Sequence, residues 1–218
     1  MKAVFVIRAP SEFSDSWFQR RKKPNLTGLV TSLEKLDADE ILIISQNALK
    51  DRVNEWFERE RGCFRAPVTF RFHDRFTDSV AMDPLMGFVR QEGFEDSALL
   101  VFPSNNIPHD LCAFKKTLHL HPYSPVVGVR KPGCDVAAGV ISLGERNRIT
   151  HFSPTGECQE NEWKSVGAYY FPERFLSDGI PAFVKFASKS VPVFESFVSW
   201  SVRNFKVYAH VFAAHSGL

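Results

Sequence analysis

The strongest constraint on this chain is an alternation. Short apolar runs rich in β-branched residues recur between longer stretches whose apolar residues fall at helical spacing. KAVFVI (residues 2–7), EILIIS (40–45), Val68–Phe72, ALLVF (98–102) and Val126–Arg130 have strand length. Between them, Leu26, Leu29, Val30, Leu33 and Leu36 mark one helix, ending by Asp37. Leu49, Val53, Trp56 and Phe57 mark the buried face of a charged helix over 47–60. Further helices are predicted over 78–91, despite Pro84, and over 110–118. Strands that are apolar throughout and separated by helices predict crossover units, a largely parallel sheet and helices on both faces.

After residue 130 the rhythm changes. Val136–Leu143 and Arg148–Phe152 read as a hairpin turning at Glu145-Arg146-Asn147. SVGAYYF (165–171) is a further strand, helices follow over 180–188 and 193–204, and KVYAHVF (206–212) closes with a strand. No internal repeat or linker stands out. The whole pattern predicts one α/β domain, residues 1–218, with a mixed sheet.

Composition agrees. At 218 residues, 44% hydrophobic and 24% charged, the chain is neither disordered nor collagen-like and can bury a sizeable core. Many of its 21 phenylalanines must lie inside that core. The net charge of +2 gives no clustered basic face of the kind nucleic-acid binding needs. The one basic cluster, Arg20, Arg21, Lys22 and Lys23, is either a solvated loop or a phosphate contact. The cysteines at 63, 112, 134 and 158 are too sparse for a disulfide framework and read as reduced thiols of a cytoplasmic protein. The apolar start before Arg8 is too short for a signal-peptide core, and no stretch approaches the ~18 apolar residues of a membrane span. The chain is therefore expected to be soluble.

Several short patterns carry candidate chemistry. His119-x-His121 can put two imidazoles on one strand face, but Pro122 and the lack of a nearby carboxylate favour a surface turn. Asp37-x-Asp39 resembles the acidic metal-holding pair of nucleotide-sugar glycosyltransferases. It precedes a strand instead of following one, however, and so reads as a helix-terminus turn. Ser104-Asn105-Asn106 follows ALLVF, where open α/β sheets bind ligands. Asn105 and Asn106 can bond a base, ribose or phosphate but are poor Mg²⁺ ligands; a helix N-cap or a turn explains them equally well. Gly167 lies within a strand, the mark of either a close ligand approach or a bulge.

Taken in order, these segments resemble the sugar-1-phosphate nucleotidyltransferases. That family opens on a strand of the form MKAVILAAG, a Gly-rich loop with an Arg, and Lys-Pro. This chain opens MKAVFVIRAP and reaches Lys23-Pro24 at the same distance. The family's DEIVIV strand is matched by Asp39 to Ile44, its GDN by FPSNN (102–106), and its Gly-Val strand pair by Ala138-Gly139-Val140 and Asn147-Arg148-Ile149. Its NAGIYxF strand is matched by Ser165 to Phe171. The resemblance implies a Rossmann-like, GT-A-like domain with a mixed, mostly parallel sheet flanked by helices.

The departures bear on activity. Ala9, Pro10 and Ser11 stand where the family presents glycine N–H groups to a triphosphate, and proline removes one donor. Phe13 stands in place of the catalytic Arg, and Asn105 in place of the Mg²⁺-holding Asp. Ser153-Pro154-Thr155 occupies the region of the sugar-phosphate-contacting EKP lysine, and the W-x-D-x-G-T segment with a second metal-binding Asp would begin at 215–218. Lys23 and Gly167 remain. The resemblance thus implies a degenerate member that keeps a ligand site at Arg8, Lys23, Asn105, Asn106 and Gly167. Such a member has no metal ligands and no expected cofactor, and it acts as a binding, regulatory or scaffold subunit, alone, as a homo-oligomer or with a protein partner. Neither a membrane nor a nucleic acid is an expected partner. The alternative is an active enzyme, using Mg²⁺, whose site is rebuilt from Arg8, Asp15, Arg20, Arg21, Asp78 or Asp110. A glycosyltransferase of related fold is a third reading; it lacks an acidic pair after a strand.

Overall fold

The computed structural model describes residues 1–6, 26–74, 99–103, 111–131, 139–154, 156, 158–187 and 194–213. Among them is a nine-stranded sheet with the path β3-β2-β1-β4-β8-β5-β9 and a β6–β7 hairpin joined to it through β8. The strands are β1 (Lys2–Val6), β2 (Glu40–Gln46), β3 (Val68–His73), β4 (Leu99–Pro103), β5 (Val126–Arg130), β6 (Val140–Leu143), β7 (Ile149–Ser153), β8 (Trp163–Phe171) and β9 (Tyr208–Val211). The pairings of β1 with β2 and β4, of β2 with β3, and of β5 with β9 are parallel, whereas β8 runs antiparallel to β4, β5 and β6. The sheet is mixed and flanked by helices, as the sequence predicts.

The two-residue strand period sorts the core into two layers. Ile41 and Ile43 of β2 join Val126, Ala168 and Tyr170 on one face. That face is covered by α1 (Leu26–Glu34), α2 (Lys50–Glu60) and α3 (Leu111–Leu120). Leu42 and Ile44 join Val127, Val129, Tyr169 and Phe171 on the other, beneath α4 (Glu173–Phe186) and α5 (Phe194–Asn204). Alternate apolar residues of one strand therefore hold helices on opposite sides. Phe194, Phe197 and Trp200 of α5 form a buried stripe packed against Phe171, Phe175 and Phe183.

Three local readings need correction or completion. The helix expected from Ile180 begins at Glu173, directly after Pro172, and contains both Gly179 and Pro181. Burial of Phe175, Leu176, Ile180 and Phe183 outweighs the ~1 kcal/mol that a mid-helix glycine costs and the ~3 kcal/mol of a mid-helix proline. The turn at 145–147 is tight because Arg146 and Asn147 both adopt left-handed backbone, φ 54° and 59°. His119 lies in the last turn of α3 rather than on a strand or in a turn, and the His121 ring stacks on Tyr208 with centroids 3.9 Å apart. The helix predicted over 78–91 and Cys134 lie outside the described residues; Cys63, Cys112 and Cys158 form no disulfide among the described residues.

Candidate functional site

A parallel sheet presents its strand carboxyl ends along one edge, and ligands bind there in open α/β folds. Here that edge is formed by the ends of β1 to β5, namely Val6, Gln46, His73, Pro103 and Arg130. The antiparallel β8 begins at the same edge, since Arg130 pairs with Lys164 and Leu99 with Phe171. Gly167 therefore sits toward the carboxyl edge, in the first half of β8.

Gly167 is the centre of a bulge. Val127 pairs with Tyr169 and Val129 with Ser165, so three residues of β8 oppose the single Gly128 of β5. The extra length forces Gly167 to φ 78°, where a side chain costs strain. Its N–H donates to Ser165 Oγ at 3.1 Å, and that oxygen lies 2.9 Å from the Tyr169 hydroxyl. Ser165 is buried, and its own N–H donates to the Gly139 carbonyl at 3.0 Å. Of the two sequence readings of Gly167, the bulge is the one observed; it also fixes a hydrogen-bonded pair of hydroxyls near the edge.

Cations gather just outside the bulge. Lys131 follows β5 and lies over the Trp163 ring, 4.4 Å from its centroid, while Lys164 pairs with both Arg130 and Val140. Glu162 accepts the Gln159 N–H at 2.8 Å and faces the Ser142 hydroxyl at 3.5 Å. Burial and the Glu162 carboxylate push the Cys158 thiol up, against the opposing pull of Lys164 and Lys131. The sequence reading singled out none of Lys131, Trp163 or Lys164. The signal available was positional: a cation directly after an apolar strand of a parallel sheet lands on the ligand edge.

Farther along the edge, Asn47 at the end of β2 donates to the Asp74 carboxylate at the end of β3. Burial holds the neighbouring His73 below its ordinary value, partly offset by Asp74. The Ser45 hydroxyl, one residue inside β2's end, is fully buried and without a hydrogen-bond partner among the described residues. Arg8, Lys23, Asn105 and Asn106, with Asp15, Arg20, Arg21, Asp78 and Asp110, lie outside the described residues. Among the described residues no group of three His, Cys, Asp or Glu side chains can hold a metal ion. No helix among them is long and apolar enough to cross a membrane.

Asp37 and Asp39 lie at the opposite, amino edge. Asp37 turns the chain out of α1 with φ 58° and pairs with Lys115 at 2.5 Å, and Asp39 binds the Met1 ammonium. They form a helix-terminus turn, as their position before β2 predicts.

The sheet order, the antiparallel β8 and the added hairpin make a mixed α/β fold that solved nucleotidyltransferase structures share. The solved structures it matches include a glucose-1-phosphate thymidylyltransferase from Bacillus anthracis crystallised with sucrose. That match has a TM-score of 0.73 and 13% identity over 97% of this chain and 87% of that one. They also include an inositol-1-phosphate CTP transferase from T. maritima, with a TM-score of 0.67 and 12% identity over 97% of this chain and 86% of that one. No family model matches the sequence, and no curated protein does.

Proposed function

We propose that this chain binds a nucleotide or a sugar phosphate at the carboxyl edge of its sheet and works as a binding, regulatory or scaffold protein rather than as a catalyst. The observation that carries this reading is the pairing of a fold like that of two sugar- or cyclitol-phosphate nucleotidyltransferases with a sequence that replaces the group's charges. Phe13 stands where the resemblance expects Arg, and Asn105 where it expects a metal-holding Asp. Phosphoryl chemistry depends on neutralising charge with metal and cations, and losing one such donor typically costs about a hundredfold or more in rate. A neutral amide is a poor Mg²⁺ ligand and a phenyl ring offers no donor to the metal. In this proposal Lys23, Arg8, Asn105 and Asn106 are the residues that would contact the phosphate and base. On this reading the chain is a single cytoplasmic domain, needs no cofactor, and acts with a catalytic homologue, a pathway enzyme or a second copy of itself.

The charge that Lys131 and Lys164 bring to the edge favours a second reading, an active sugar-phosphate nucleotidyltransferase with a rebuilt site. It would convert an NTP and a sugar 1-phosphate into an NDP-sugar and pyrophosphate.

One experiment separates the two. Thermal unfolding is followed against NTPs, sugar 1-phosphates and NDP-sugars, with and without Mg²⁺, alongside an assay of pyrophosphate release. A ligand at a hundred times its dissociation constant stabilises by about 2.7 kcal/mol, several degrees for a chain of this size. The first reading expects a shift that does not depend on Mg²⁺ and no pyrophosphate. A Mg²⁺-dependent shift with steady pyrophosphate release supports the second. Silence in both assays removes the ligand site.

A further inference from the structure

A groove of about 710 Å³ opens at the amino edge of the sheet, on the far side from the site described above. Its walls are the end of α1, the turn leading into β2 and the segment leading into β3, with Glu34, Lys35, Asp37, Asp39, Cys63 and Arg65 among the lining residues. Its volume is that of a small-molecule site, for which about 300–1,000 Å³ is usual.

The charges of this groove are unevenly committed. Glu34 Oε1 accepts the backbone N–H groups of both Arg65 and Ala66, which ties the end of α1 to the entry of β3. Asp37 is bound by Lys115, whose hydrogen bond holds the carboxyl below the usual carboxylate range. Asp39 is bound by the Met1 ammonium. The carbonyls of Ser32, Leu33 and Glu34 at the end of α1 accept from Lys35, Leu36 and Asp37. Every carboxylate lining the groove thus has a partner, and so do these α1 carbonyls. Lys35 and Arg65 are exposed and have no ion partner among the described residues. Lys115 and the Met1 ammonium, which stand outside the lining, pair with Asp37 and Asp39, so Glu34 is the one lining carboxylate without a cationic partner among the described residues, beside Lys35 and Arg65.

We propose that this groove binds a small molecule through a phosphate or pyrophosphate group held between Lys35 and Arg65. A guanidinium offers planar, paired N–H donors that match phosphate oxygens, and a lysine adds a compact charge on a flexible stem. The Glu34 clamp fixes the Arg65 backbone, so one of the two cations is presented from a braced segment. The site is separate from the carboxyl edge and does not depend on what binds there.

Cys63 supplies a local reporter, since its exposed thiol lines the same groove. The full chain is alkylated with iodoacetamide in the presence of inorganic pyrophosphate, without metal, and labelling is followed cysteine by cysteine by peptide mass spectrometry. Cys112, exposed and outside the groove lining, is the reference. Saturating pyrophosphate is expected to slow labelling of Cys63 severalfold and leave Cys112 unchanged. The double variant Lys35→Ala, Arg65→Ala loses that protection while keeping its melting temperature, because both side chains are exposed. Lys23→Ala keeps the protection. The proposal is overturned if Cys63 labels at the same rate with and without pyrophosphate, if the double variant is still protected, or if Lys23→Ala abolishes the effect.

Discussion

The hydroxyls of Ser165 and Tyr169 stand 2.9 Å apart across the bulge that Gly167 makes in β8, and the Gly167 N–H donates to the serine oxygen. Ser165 therefore satisfies two buried groups. Ser165→Ala leaves both without that partner, at a cost of about 1–3 kcal/mol. Gly167→Ala adds a Cβ at positive φ and costs about 1–2 kcal/mol. Urea unfolding of both variants checks this. A Gly167→Ala variant as stable as the parent would mean that the bulge is absent.

Gly128 faces that bulge from β5. A Cβ there would stand 2.7 Å from the Phe212 ring, 2.9 Å from Val166 and 3.0 Å from Ala168. Overpacking of this kind costs about 1–3 kcal/mol, so Gly128→Ala is expected to lower the melting temperature clearly. Because the nearest atom belongs to the Phe212 side chain, adding Phe212→Leu should restore part of the loss. A double variant no better than the single one would place the strain in the backbone.

The Trp56 indole N–H donates to the buried Thr27 Oγ1 at 3.0 Å and so pins α2 to α1. Thr27→Val keeps the shape, leaves the indole N–H unpaired and costs about 1–3 kcal/mol. Trp56→Phe should be costly alone but add little on top of Thr27→Val beyond lost packing. The check is a double-mutant cycle in urea; full additivity would remove this hydrogen bond from the account.

Part of this architecture is legible in the sequence and part is not. The layering of the core follows from the alternation of Ile41, Leu42, Ile43 and Ile44, because side-chain direction along a strand is set by backbone geometry alone. The start of α4 at Glu173 is obscured in the sequence by Gly179 and Pro181, both unfavourable inside a helix, although Leu176, Ile180 and Phe183 keep helical spacing. Gly167 is ambiguous in sequence because a bulge and a ligand approach require the same residue, and the bulge becomes visible only in the register of β5 against β8. Lys131 and Lys164 come together across a strand pair whose partners are more than thirty residues apart in sequence. Lys35 and Arg65 are joined only by the fold around Glu34.

Burial holds the His121 imidazole below its ordinary value of 6.5 while the ring stacks on Tyr208. The folded chain then keeps His121 neutral at pH values where the unfolded chain has already bound a proton. Its contribution to stability is full above the unfolded value and is lost as pH falls through the window beneath it. His73 is shifted the same way. The melting temperature should therefore fall on acidification from neutral pH. His121→Phe, which keeps the stack and removes the proton, should fall less steeply, the remaining slope belonging in part to His73. Identical slopes for parent and variant would exclude His121 as a contributor.

Lys23 is the position at which the proposed binding function is most directly exposed to test. A lysine that contacts a phosphate contributes through charge, so removing it should weaken binding. Lys23→Ala is expected to reduce the ligand-induced rise in melting temperature for nucleotides or sugar phosphates, with the unliganded melting temperature unchanged. Lys23→Arg keeps the charge but alters its geometry and should retain part of the shift. The contrast is with Lys131→Ala, which removes a cation at the β5 end of the carboxyl edge along with its contact to Trp163. If Lys131→Ala abolishes the shift and Lys23→Ala does not, the ligand's charge is held at the β5–β8 end of the sheet, and the reading based on the opening segment falls in favour of a rebuilt site.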